Sequence, residues 1–416
     1  MLEDQPSIGY QLKSLLDTDL YKLTMQQAVL SHFPEAQATY RFTHRDNNVY
    51  FTRSCIDEFE SALSHFKSVA LTNEELKWLT RNCSYLKPEY LSYLSSYRFK
   101  PEQVSIQFKP VTIGSELGDV EIEAMGPWVE TIMWEVPLMA CLSETYFRFV
   151  SKDWNYEKQA ERAYEKATAL LQAGCTFSEF GTRRRRSFHI QDLVVSALIR
   201  ASQEFPTQGK FSGTSNVYLA YKYDLMPIGT IAHEWFMGVA ALRGYEHANS
   251  TALDLWEQVY PSDLLVALTD TFSTEVFYKE FITDKNRAKR WKGLRQDSGD
   301  PFIFVPRAKE VYESLGINYR EKSIIFSDAV HLDKALALKK QCDDLGFVCS
   351  FGIGTFLTND FYTVSSGGKD KSKALNMVIK LGEINGKQCV KISDELTKNT
   401  GDNKTVLEVK KLYGIL

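Results

Sequence analysis

The 416-residue sequence carries 49 Lys+Arg against 53 Asp+Glu, a net charge of −4. A chain that grips nucleic acid through sequence-independent charge shows a basic surplus instead, so its partners are expected to be small molecules. With 44% hydrophobic and 25% charged residues it has the composition of a soluble globular protein of about two domains, and its seven scattered cysteines, without a C-x-x-C, exclude a disulfide framework and a zinc site and predict reduced, buried thiols.

In chain order, the N-terminus MLEDQPSIGYQLKSLLDTDLYKLTM has no basic region followed by an apolar one, and no apolar run approaches the ~18 residues of a membrane span. The protein is expected to stay inside the cell, in the cytoplasm, with the nucleus open if the source is eukaryotic. Residues 103 to 136 contain QVSIQFKPVTIG and VEIEAMGPWVETIMWEVP, which read as antiparallel strands. From about residue 140 a rhythm sets in: an apolar run ends in small polar residues and an amphipathic stretch follows. The runs end at EFGTR (179–183), SGTSN (212–216), IGTIAHE (228–234), LTDTF (268–272), RQDSGDP (295–301), FSDAV (326–330) and FGIGT (351–355).

Between these ends, SFHIQDLVVSALIRAS, STEVFYKEFIT, PFIFVPRAKEVYESLG and HLDKALALKKQCDDLG place apolar residues at helical spacing. Asp300 reads as an N-cap with Pro301 at the first helical position, and Pro306 is expected to break or shorten that helix. Alternating strands and helices predict a parallel sheet closing into an irregular α/β barrel over residues 140–365. The hairpin LNMVIKLGEINGKQCVKIS, turning at Asn385-Gly386, belongs with the early strands. A mixed α+β domain is therefore expected from both chain ends, residues 1–139 and 366–416.

In such a barrel the C-terminal strand ends share one face, so the polar clusters there converge. A run of charges such as Arg183–Arg186 commonly dresses a solvated face. Four adjacent arginines cannot form one helical stripe, however, and cations at a helix N-terminus oppose its dipole, which favours an anionic ligand drawing one or two of them inward. FGIGT lacks the third glycine of a dinucleotide fingerprint, since Leu357 stands there, but can let backbone N–H groups approach a phosphate. His233 starts a helix after a strand end, with Asp270 at the next long strand end placed to accept from one ring nitrogen and leave the other nucleophilic. Asp297, Ser298 and Asp328 add carboxylates and a hydroxyl suited to Mg²⁺ or ribose. Tyr21, in an amphipathic stretch, reads as core.

These clusters, in this order, resemble the nicotinate phosphoribosyltransferase family along essentially the whole chain: LLDTDLYKLTM, FSEFGTRRRRS, GTSN, PIGTIAHEW, LTDTF, RQDSGDP, FSDA and FGIGTFLTND. The resemblance implies a two-domain type II phosphoribosyltransferase, a homodimer with active sites at the subunit interface. It implies that nicotinate and phosphoribosyl diphosphate give nicotinate mononucleotide and diphosphate, with Mg²⁺ and with ATP hydrolysed through a phosphohistidine, in NAD salvage. Carried over by position, it implies Tyr21 from the neighbouring subunit and Phe180 stacking on the pyridine, with Arg183, Thr230 and Arg295 around the nicotinate. It further implies Asp297 and Asp328 near the ribose, Gly352, Gly354 and Thr355 at the 5′-phosphate, and His233 phosphorylated with Asp270 as its orienting partner. Nicotinamide-using relatives resemble this sequence but carry an aspartate where Ser215 stands, so Ser215 is expected to favour the acid. Arg184, Arg185 and Arg186 are left to reach phosphates or to pair on the surface. Two rival readings are a nicotinamide- or quinolinate-using relative and an RNA-binding protein using the arginine run and KNRAKRWK (285–292).

Overall fold

Alternation of apolar and polar residues builds the first sheet. In β4 (Leu117–Pro127) Val120, Ile122 and Ala124 are buried while Asp119 and Glu121 face solvent, as in an antiparallel sheet covered on one side. The computed structural model describes residues 9–46, 49–395 and 399–415. Before β4 come β1 (Gln37–His44), β2 (Phe51–Thr52) and β3 (Val104–Pro110). After it come β5 (Thr176–Glu179), β6 (Lys210–Thr214), β7 (Val266–Leu268), β8 (Gly293–Gln296), β9 (Ser323–Phe326) and β10 (Val348–Ile353), then β11 (Phe361–Tyr362), β12 (Lys371–Ser372), β13 (Met377–Ile384) and β14 (Lys387–Gln388).

The antiparallel sheet runs β14-β13-β1-β4-β2, with β3 on β4, so segments from both ends of the chain share it. β1 pairs with β13 from Ala38↔Ile384 to His44↔Met377 through a bulge at Thr39/Tyr40, and β13 turns into β14 at Asn385 and Gly386, both at positive φ as such a hairpin requires. The second sheet is parallel in the order β6-β5-β10-β9-β8-β7. Six of the seven expected strand ends close one of its strands. The end at IGTIAHE follows only an isolated bridge, Thr214↔Pro227, and among the described residues no ladder joins the edge strands β6 and β7.

Two local expectations are corrected. Residues 128–136 are not strand: helices span Trp128–Thr131 and Glu135–Phe149, and nearly every residue there is buried, which hides the 3.6-residue period. The helix Pro301–Ser314, capped by Asp300, continues through Pro306. The carbonyl that Pro306 leaves without a donor, that of Phe302, accepts from Gln341 Nε2 at 2.8 Å.

Candidate active site

The loops after the parallel strands open onto a cavity of about 880 Å³. Phe180 and Arg183 follow β5, Arg295 and Asp297 lie at the end of β8, Asp328 follows β9, and Gly352, Gly354 and Thr355 lie at the end of β10; all of them, with Thr230, His233 and Tyr21, line that cavity. The glycines also serve packing: a Cβ on Gly354 would stand 3.2 Å from the Phe180 carbonyl oxygen, and one on Gly181 would meet Thr358 Oγ1 at 2.0 Å. Tyr21 reaches the cavity from its own chain, on the helix Leu20–His32, with its backbone against Gly229 and Thr24 Oγ1 donating to the Thr230 carbonyl at 2.6 Å.

The arginine run divides in two. Arg183 and Arg184 line the cavity, Arg183 with its side chain 43% exposed and Nη1 3.1 Å from Glu135 Oε1, and Arg184 Nε donating to the Met377 carbonyl. Arg185 and Arg186 are fully buried, neither on the surface nor at the cavity. Arg185 makes paired bonds to Asp17, 2.7 and 2.8 Å, and a third to Gln191 at 2.9 Å. Gln191 in turn donates to Glu179, which also accepts from Thr214 Oγ1 and from Gly181 N; burial pushes the Glu179 carboxyl up to about 7. Among the described residues Arg186 has no carboxylate partner. Its guanidinium lies 3.6 Å from the centroid of Phe147 and 4.3 Å from that of Phe361, and it donates to Ser372.

Ser215 is fully buried, outside the cavity lining, and its hydroxyl donates to Asp19 Oδ1 at 2.7 Å. Asp19 lines the cavity in its place, so a carboxylate stands there without an aspartate at 215; burial pushes its pKa up, against the pull of Arg183. Ser298 is turned away as well, donating to Asp270 Oδ2 at 2.6 Å.

His233 begins the helix His233–Arg243. Its Nδ1 lies 3.0 Å from Thr271 Oγ1 and its Nε2 3.0 Å from Asp297 Oδ2, whereas Asp270, almost fully buried, is 3.8 Å away and outside the cavity lining. Asp270 is therefore not the nearest partner of the ring; Thr271, Asp297 and Lys391, each 3.0 Å from a ring nitrogen, are. Burial lowers the His233 pKa, reinforced by Lys391, which favours the neutral ring. Burial would raise the Asp297 carboxyl, but Arg295, at 3.2 Å, together with His233 holds it well below the usual range.

Sequence reasoning missed the opposite wall. Arg45, Glu135, Lys380 and Lys391 come from the antiparallel sheet and its neighbours and line the same cavity. Below them the fully buried Lys22 pairs with both Glu135 and Glu234; burial opposes its charge, and the two carboxylates more than offset that. The signal that could have found them is a charge inside an apolar run, as in CVKIS, where Cys389, Val390 and Ile392 around Lys391 are fully buried.

His233, Asp270 and Asp297 bring ligand atoms within 4.8 Å of one another, but Lys391 Nζ sits 3.1 Å from Asp270 and 3.0 Å from His233, so an ammonium already stands in that cluster and the set does not suit a resident metal ion. The stretch 285–292 is not a free basic face: Arg287 and Arg290 pair with Glu257, and Arg287 also with Asp254.

Comparison with known proteins is consistent in direction. The family model for the "Nicotinate phosphoribosyltransferase (NAPRTase) family" matches residues 175–415, and that for its N-terminal domain matches residues 16–143. A nicotinate phosphoribosyltransferase of Methanosarcina mazei is 43% identical over 423 residues, covering 97% of this chain and 98% of that one. A crystal structure of the corresponding Saccharomyces cerevisiae protein superposes with a TM-score of 0.94 at 40% identity, covering 97% and 99%. One from Porphyromonas gingivalis superposes with a TM-score of 0.88 at 36% identity, covering 97% and 100%. No helix among the described residues is long and apolar enough to cross a membrane.

Proposed function

This chain belongs to the nicotinate phosphoribosyltransferase family, and we propose that it joins nicotinate to phosphoribosyl diphosphate and couples that reaction to ATP through a phosphohistidine at His233. The observation that carries this reading is one cavity lined by unlike groups: an aromatic ring and a guanidinium, Phe180 and Arg183, the glycine-bordered strand end at Gly352–Thr355, and the carboxylates of Asp297 and Asp328. A planar acid suits the first pair, a sugar phosphate the glycine-bordered strand end.

The pyridine nitrogen forms a bond to the ribose carbon as the bond to the diphosphate oxygen breaks, and that oxygen leaves with the electron pair. Positive charge grows on the ribose and negative charge on the leaving group, so the chain's contribution is to position the ring and to surround the departing diphosphate with cations. Mg²⁺ would enter with the phosphates of phosphoribosyl diphosphate and of ATP and would supply further positive charge to the departing diphosphate. Acid preference rests on Arg183 and Arg295 rather than on Ser215. In the coupling step the Nε2 lone pair of His233 attacks the γ-phosphorus of ATP, ADP departs with the bridging oxygen, and water later releases phosphate. Seven free, buried thiols support a reducing cytoplasmic setting.

The test incubates the purified chain with phosphoribosyl diphosphate, Mg²⁺ and nicotinate, nicotinamide or quinolinate, with and without ATP. Nicotinate mononucleotide alone is expected, formed faster with ATP, with γ-label on a histidine that is lost in His233→Ala. Preferential use of nicotinamide, or label persisting in His233→Ala, would overturn it.

A further inference from the structure

The atom that the coupling step uses is claimed by two neighbours of opposite kind. His233 Nε2 lies 3.0 Å from Lys391 Nζ and 3.0 Å from Asp297 Oδ2. An ammonium only donates and a carboxylate only accepts, so one ring nitrogen cannot satisfy both. Thr271 Oγ1, at Nδ1, is a hydroxyl and serves either tautomer. With the proton on Nε2 the ring donates to Asp297 and has no lone pair there. With the proton on Nδ1, Nε2 accepts from Lys391 and keeps its lone pair.

The ammonium is held in place from outside the parallel sheet. Lys391 lies beyond β14, where its backbone exchanges hydrogen bonds with Thr400 at 3.0 and 2.9 Å and the next residue, Ile392, donates to the Thr271 carbonyl at 2.8 Å. Asp270 Oδ2 anchors the ammonium at 3.1 Å, and the Lys391 side chain is 12% exposed. The segment therefore grips the residue on one side of the imidazole and places a cation on the other.

We propose that Lys391 is a catalytic residue that selects the Nδ1–H tautomer of His233, leaving the Nε2 lone pair for the incoming phosphoryl group and then pairing with that group's oxygens. The phosphoryl part rests on the coupling reading above. As the N–P bond forms, the P–O bond to ADP breaks and its electron pair leaves with ADP. The Nδ1 proton stays, donated to Thr271, and the charge the ring gains faces Asp297 and Asp270. Without Lys391 the anionic Asp297 captures the ring, and Nε2 carries the proton.

The full chain with ¹⁵N-labelled histidine tests this by long-range ¹H–¹⁵N spectra, with the His233 signals identified by their absence from His233→Ala. The unaltered protein should show Nδ1–H, Lys391→Met should show Nε2–H, and Lys391→Arg should return to Nδ1–H. Phosphohistidine formation from γ-labelled ATP should fall about tenfold or more in Lys391→Met, the size expected for one lost hydrogen bond to a charged group, and partly recover in Lys391→Arg. An Nε2–H ring in the unaltered protein overturns the proposal without any variant, as does an Nδ1–H ring that survives in Lys391→Met. A tautomer that switches as expected in a protein that takes no label at His233 supports the role of Lys391 in the ring's state and overturns the coupling reading instead.

Discussion

Arg183 and Arg185 are two residues apart and do unrelated work. The first lies in the cavity with an exposed guanidinium; the second is sealed in the interior, bound on both forks to Asp17. What separates them is the short 3₁₀ turn Thr182–Arg184, after which the chain extends through Arg185 before the helix Phe188–Glu204 begins. A change of backbone conformation inside a charge run sends neighbouring side chains to opposite environments, so a run of like residues is no guide to a shared function.

Breaking the sealed half should have the largest effect. Arg185→Ala leaves Asp17 buried without its partner and should cost about 3 to 5 kcal/mol of stability in denaturant unfolding, with activity lost through the fold. Equal stability in that variant would show that the buried pair contributes nothing. The open half should behave in reverse: Arg183→Lys should lower kcat/KM for nicotinate roughly 10- to 100-fold through the loss of a planar, forked donor, while stability changes by less than about 1 kcal/mol. A stability loss matching that of Arg185→Ala would erase the contrast between the two halves.

The smallest effect concerns a cation that faces ligand space yet is half-sealed. Burial, with Arg45 and Lys391 adding to it, pushes the Lys380 ammonium down to about 7. A lysine in the unfolded chain holds its proton to an ordinary value near ~10.4. Between these two values the unfolded state binds more protons, so the stability of the ligand-free protein should rise with pH across that window, and Lys380→Met should flatten the rise. A phosphate-bearing ligand at this wall should raise the Lys380 pKa and take up a fraction of a proton at pH 8, visible as a calorimetric heat that differs between buffers of different ionisation enthalpy. Identical heats would place Lys380 with the structural cations.

The legible part of the site was the part that repeats. Each βα unit returns the chain to the same face, so Asp297, Asp328 and Gly352 could be gathered from periodicity, while Phe180 and Arg295, in the same strand-end clusters, were singled out by the family resemblance. The residues that resisted were those whose neighbours are set by packing between the two sheets. Asp270 and Ser298 sit at the expected strand ends but turn toward each other, a choice made by side-chain rotamers and by Lys391. Ser215 was in the right loop and on its hidden side. Glu135 belongs to a stretch whose burial on all sides erased its helical period. Pro306 was expected to end its helix and did not, because the carbonyl it strands is met by Gln341, a partner 39 positions away in sequence.

The placement of Lys391 also sets an order in time. A chain leaves the ribosome from its N-terminus and a domain folds as a unit; because β1 pairs with β13 and Lys391 lies beyond β14, the antiparallel sheet and the contact of Lys391 with His233 can close only after the C-terminal strands have emerged. Until then His233 Nε2 has no ammonium beside it. The centre reaches its working state as one of the last events of synthesis.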